Sequence, residues 1–136
     1  MERFRNISAL IVDDVANMRG FLISSLRSID LLNVRDASNA KEAMKMYQEK
    51  RPDIVFLDLD MPDISGLTML RTLQQKDPRA FVVIVSGESN VDNVKESLKA
   101  GAKGFIVKPY NMNKIIAMLD KLLASKNKTH RKRKLT

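Results

Sequence analysis

The sequence predicts an α/β fold of the (βα)5 doubly wound kind, a five-stranded parallel sheet with helices on both faces. Two observations carry it. Short runs rich in Ile, Val, Leu or Phe recur five times, at residues 7–12, 31–35, 54–57, 81–85 and 105–107. Each is followed by a segment whose apolar residues fall at helical spacing. Apolar runs of this length suit strands buried on both faces, as parallel strands are. Alternating strand and helix then imply right-handed crossovers that cover the sheet from both sides.

The first run, 7–12, stops at Asp13-Asp14 and is followed by Val15, Met18, Leu22 and Leu26, one face of a helix. The second, 31–35, contains Asn33 and Arg35 and precedes Ala40, Ala43, Met44 and Tyr47. After the third, 54–57, come Leu67, Leu70 and Leu73; after the fourth, 81–85, Val91, Val94 and Leu98; after the fifth, 105–107, Ile115, Met118, Leu119 and Leu122. Ser38 or Asn39, Ser65, Asn90 and Asn111 stand where a side-chain oxygen would cap an orphan N–H at a helix start.

Composition narrows the function. The 136 residues suffice for one domain with its own core, which leaves no room for a second catalytic domain. With no cysteine, a disulfide framework, thiolate metal site or thiol redox chemistry is excluded. Arg3 and Arg5 precede an apolar run too short for a signal-peptide core, and no stretch approaches the ~20 apolar residues of a membrane span, so a cytoplasmic protein without membrane insertion is expected. The net charge is +8, but Lys126, Lys128, Arg131, Lys132, Arg133 and Lys134 supply six of the 24 basic residues. The other 18 face 16 acidic residues, so the folded part is nearly neutral and nucleic acid is not expected as its partner. The expected organisation is a domain over residues 1–125 and a basic, disordered tail or linker over 126–136.

Open parallel sheets place their sites beyond the carboxyl ends of the strands. Those ends carry Asp13-Asp14, Asp58, Ser86 and Lys108-Pro109. Three carboxylates in one crevice repel unless a cation joins them, and a hard divalent ion with oxygen ligands, such as Mg²⁺, fits that need. Asp58 then has the setting of a carboxylate nucleophile in phosphoryl transfer, with Lys108 as a second positive charge and Ser86 as a hydroxyl donor.

Ile11-Val12-Asp13-Asp14, Phe56-Leu57-Asp58-Leu59-Asp60-Met61-Pro62 with Gly66, Ser86-Gly87, Gly101-Ala102 and Lys108-Pro109 together resemble the response-regulator receiver family of two-component signalling. The resemblance covers about residues 5–124 and implies a flavodoxin-like fold, for which the strand-end rule already takes a chemotaxis receiver as an example. It implies that Asp58 is phosphorylated by a sensor histidine kinase or phosphotransfer protein. Mg²⁺ would be held by Asp14, Asp58 and the backbone carbonyl of Asp60, with Asp13 acting mainly through water. Ser86 and Lys108 would contact the phosphoryl oxygens, and Lys108-Pro109 would be joined by a cis peptide bond. Ser86 and Phe105 would form the switch, and a downstream protein target would bind the face made by the fourth helix, fifth strand and fifth helix.

Departures from the family pattern carry their own expectations. Phe105 lacks a hydroxyl and can signal only by packing, with Tyr110 as a nearby phenol that could stand in. Asp60 and Glu88 flank the entry path, where the family tunes the lifetime of its acyl phosphate. Ser65 replaces the acidic residue often found before Gly66. Rival readings are weaker. Asp58-Leu59-Asp60 also resembles the nucleophile motif of haloacid-dehalogenase-type phosphatases, but there the acidic metal pair follows the lysine, whereas here Asp13-Asp14 precedes it. A flavodoxin-type flavin module would need a phosphate cradle where Asp13 and Asp14 stand. A degenerate receiver used as a scaffold would be expected to have lost one of the five site residues. His130, alone among basic residues, reads as solvated.

Overall fold

The computed structural model describes residues 1–87 and 90–135, with side chains described as far as residue 127. After a 3-10 turn at Glu2–Phe4, strands and helices alternate: β1 (Ser8–Val12), α1 (Ala16–Ser28), β2 (Asn33–Ala37), α2 (Ala40–Glu49), β3 (Ile54–Leu57), α3 (Gly66–Lys76), β4 (Val82–Ser86), α4 (Val91–Lys99), β5 (Gly104–Val107) and α5 (Met112–Leu135). All four strand pairings are parallel, in the order β2-β1-β3-β4-β5. The chain builds outward from β1 to one side and then from β3 to the other, so the topological switch point lies between β1 and β3.

Side chains of a strand alternate between faces, and in β1, β3 and β4 both sets are largely apolar. Ala9, Ile11, Phe56, Val83, Val85 and Ile106 pack with Leu22 and Leu26 of α1 and Ile115, Leu119 and Leu122 of α5. On the opposite face Leu10, Val12, Val55, Leu57, Val82 and Ile84 pack with Ala40, Ala43 and Tyr47 of α2 and Met69, Leu70 and Leu73 of α3. Two cores therefore clamp the sheet and hold its strand ends rigid.

The second strand begins two residues later than the apolar run suggests. Asp30 adopts the left-handed region at φ 71°, the Asp30 N–H donates to Arg27 O, and the Leu31 N–H donates to Leu26 O. These are the paired bonds of a Schellman helix end, with Leu31 and Leu26 in the same core. Leu31 is apolar because it caps α1, not because it lies in β2. Asn39, not Ser38, caps α2, and its side chain accepts from the Glu42 N–H.

The backbone of α5 does not end at the expected boundary after residue 125 but stays helical to Leu135. Ala, Lys, Arg and Leu are among the better helix formers, and no Gly or Pro interrupts residues 112–135. Charge alone is a poor stop signal for a helix already nucleated by its packed first turns. No helix among the described residues is long and apolar enough to cross a membrane.

Candidate functional site

Val12 pairs with Leu57 in the β1–β3 register, so the next residues, Asp13 and Asp58, leave the sheet side by side at the switch point. The Asp58 N–H donates to Val12 O at 2.9 Å, which fixes the Asp58 backbone to the neighbouring strand end. Both side chains are buried, at 6% exposure each, whereas Asp14 is exposed. One carboxylate oxygen from each of Asp13, Asp14 and Asp58 lies within 4.8 Å of the others.

Asp13 is fully engaged. Its Oδ1 accepts from the Val15 N–H at 2.9 Å, and its Oδ2 accepts from Lys108 Nζ at 2.8 Å. Arg19 of α1 braces the same turn, donating to the Asp13 carbonyl at 2.7 Å and to Asp36 at 2.9 Å. Lys108 Nζ also stands 3.9 Å from Asp58 Oδ1, and its peptide bond to Pro109 is cis. Burial pushes the Asp58 carboxyl up to about 6, the Lys108 ammonium opposes this, and the Asp13 charge adds to it. Three carboxylates against one ammonium leave excess negative charge in a crevice of hard oxygen donors, a set that suits a divalent cation of the Mg²⁺ type.

Gly66 sets the far wall. A Cβ there would lie 2.2 Å from the Asp58 carbonyl oxygen, so only glycine lets α3 start this close to the Asp58 backbone. Its N–H donates to Leu59 O at 2.9 Å, closing the loop that carries Asp60, whose side chain is exposed and whose N–H donates to Asp58 Oδ1 at 3.3 Å. Ser86, wholly buried, ends β4. Phe105 on β5 pairs with Ile84 and packs half-buried on the α2–α3 core.

Tyr110 packs on the other face, with its ring 5.7 Å from that of Phe21 on α1. Phe105, in contrast, packs against the α2–α3 core. Burial pushes the Tyr110 hydroxyl up to about 12. Glu88 and the side chain of His130 lie outside the described residues. Sequence reasoning passed over two residues that shape the crevice, Arg19 and Asp63. Asp63 reaches the start of α2 from the loop after Asp58, accepting from the Ala40 and Lys41 N–H groups at 3.3 and 3.2 Å. No local spacing announces either contact.

The family model of the response regulator receiver domain matches residues 9–120. The chain is 39% identical over 115 residues to chemotaxis protein CheY of Listeria monocytogenes, covering 85% of this chain and 97% of that protein. A Borrelia burgdorferi chain solved as a CheX–CheY–BeF3–Mg²⁺ complex is 32% identical with a TM-score of 0.80, covering 86% of this chain and 89% of that one. The fold is also that of a CheY-like receiver from Methanospirillum hungatei, with a TM-score of 0.82 over 90% of this chain and 98% of that one, at 24% identity. A phosphatase of the haloacid-dehalogenase type is thereby set aside. The chain belongs to the response regulator receiver domain family, and its function is that of a phosphoryl-accepting regulator in two-component signalling.

Proposed function

We propose that Asp58 is the phosphoacceptor in a Mg²⁺-dependent transfer from a sensor histidine kinase or phosphotransfer protein. One observation supports this above the rest: a buried carboxylate at the switch point of the sheet, set between an acidic pair and a lysine. A carboxylate oxygen of Asp58 attacks the phosphorus of a phosphohistidine, the O–P bond forms as the N–P bond breaks, and the imidazole nitrogen leaves with the bonding pair. Asp58 must be ionised to attack, and Lys108 favours that form against the effect of burial. Lys108 then meets the phosphoryl oxygens, and the Ser86 hydroxyl donates to them.

Asp14, Asp58 and the backbone carbonyl of Asp60 would hold the metal, with Asp13 acting through water. When bound, Mg²⁺ neutralises the oxygens of the transferring group. Asp60 and Glu88 tune the lifetime of the acyl phosphate. The signal passes from Ser86 to Phe105 and reaches a downstream protein target through the α4–β5–α5 face. The basic residues from Lys126 onward take no part in this chemistry.

Incubation with Mg²⁺ and acetyl phosphate should add one phosphoryl group by intact mass, EDTA should block it, and Asp58→Asn should load none. Undiminished loading of that variant places the acceptor elsewhere.

A further inference from the structure

The first turn of α2 is capped from two directions. Asn39, its own N-cap, takes the Glu42 N–H at 2.8 Å. The two earlier N–H groups, of Ala40 and Lys41, go instead to the two carboxylate oxygens of Asp63, more than twenty residues on in the β3–α3 loop. A carboxylate at this end also meets the positive pole of the helix. Slight desolvation opposes its charge, but the backbone N–H groups of Ile64, Lys41 and Ala40 hold the exposed Asp63 carboxyl below the usual carboxylate range.

Between Asp63 and the nucleophile the chain has little freedom. Pro62 fixes its own φ and restrains Met61 to extended conformations. Asp60, Met61 and Pro62 thus form a short stiff arm from the acid crevice to the clamp on α2. The loop's other end is closed by the Gly66 N–H to Leu59 O bond and by the near contact of Gly66 with the Asp58 carbonyl. The loop is pinned at both ends, and only one pin is a side chain.

We propose that Asp63 is a positioning residue for the metal centre: by clamping the loop to α2 it holds the Asp60 carbonyl where it can serve as a ligand. The inference rests on the metal site proposed above. Releasing the clamp gives the arm a hinge at residue 63, so the carbonyl must be ordered when Mg²⁺ binds. Affinity falls while the chemistry of the filled site stays intact.

The test follows Mg²⁺ binding to the full chain by amide NMR shifts and by calorimetry, with phosphoryl loading from acetyl phosphate measured against Mg²⁺ concentration. Asp63→Ala should raise the half-saturating Mg²⁺ about three- to tenfold and leave the loading plateau unchanged. Asp63→Asn, which keeps an oxygen acceptor, should recover part of the loss. Asn39→Ala loosens the same helix end without freeing the loop, and should leave Mg²⁺ affinity unchanged. Equal shifts in Asp63→Ala and Asn39→Ala, or none in Asp63→Ala, would overturn the clamp. Asp14→Ala separates the two readings: if it binds Mg²⁺ as wild type does, the metal site itself is misplaced, whatever Asp63 does.

Discussion

Asp58 carries its negative charge against the cost of burial. Burial raises its pKa to about 6 from the ordinary 3.8, Lys108 at 3.9 Å lowers it, and Asp13 raises it again. Between those two values the folded state holds a proton that the unfolded state has released. Stability from this residue is therefore complete below about pH 4, falls as pH rises, and is lost above about pH 6. In EDTA, Asp58→Asn should gain on wild type as pH is taken from 4 to 7, by up to about 3 kcal/mol. Urea unfolding of both proteins at the two pH values measures it, and an equal gap at both means that Asp58 titrates as an ordinary carboxylate. At pH 7, Mg²⁺ should narrow the gap by binding the folded wild type. At this scale Asp13, Asp14, Asp58, Ser86 and Lys108 were legible because each follows or ends a strand of one parallel sheet, and topology brings such residues together. Arg19 and Asp63 were not, because each acts on backbone groups of a neighbouring turn, a contact that no side-chain spacing encodes.

The switch proposed between β4 and β5 works by packing rather than charge. Ile84 pairs with Phe105, and two residues on, Ser86 pairs with Val107, so the hydroxyl and the ring belong to one two-stranded unit. Phe105 already packs on the α2–α3 core. Burying the rest of a half-buried Phe contributes on the order of 1 kcal/mol, whereas moving an equilibrium from 1:99 to 99:1 needs about 5.5 kcal/mol. On the proposed switch, most of the bias would then come from phosphoryl contacts of Ser86 and Lys108 in one state only. Beryllofluoride at Asp58 should shift amides as far as Phe105 and α4. In Ser86→Ala, shifts near Asp58 should persist while those at Phe105 collapse. If the Phe105 shifts survive, coupling runs by another route. Element order could be read from hydrophobic period alone, but the edges could not. Leu31 looked like strand because helix ends of the Schellman type also use an apolar residue, and Asp30, rather than glycine, held the left-handed position that would have marked the stop.

Across the whole molecule, charge and chemistry occupy opposite poles. Asp13, Asp58 and Lys108 directly follow their strands and Ser86 ends β4, and α5 returns antiparallel to β5, so its far end lies beside the strand starts. The ion pair of Lys126 with Asp53, the residue before β3, marks that pole. At 24 residues α5 is about 36 Å long, so the six basic residues from Lys126 onward lie well away from the acid crevice. Charges so placed act on Asp58 only through solvent, where the Debye length is about 8 Å at physiological salt. Ending the chain at Ser125 should therefore leave phosphoryl loading and its Mg²⁺ requirement unchanged, and losing the exposed Lys126–Asp53 pair should cost at most about 1 kcal/mol. The same cut removes six of the eight net positive charges. At low salt the full chain should bind duplex DNA weakly and without sequence preference, the truncated chain much less. The difference should fade as salt rises toward about 0.2 M, because counterion release drives the binding. Phosphorylation should not move either curve. If the truncated chain binds DNA as the full chain does, the basic face belongs to the folded domain; if loading falls on truncation, the two poles are coupled through α5.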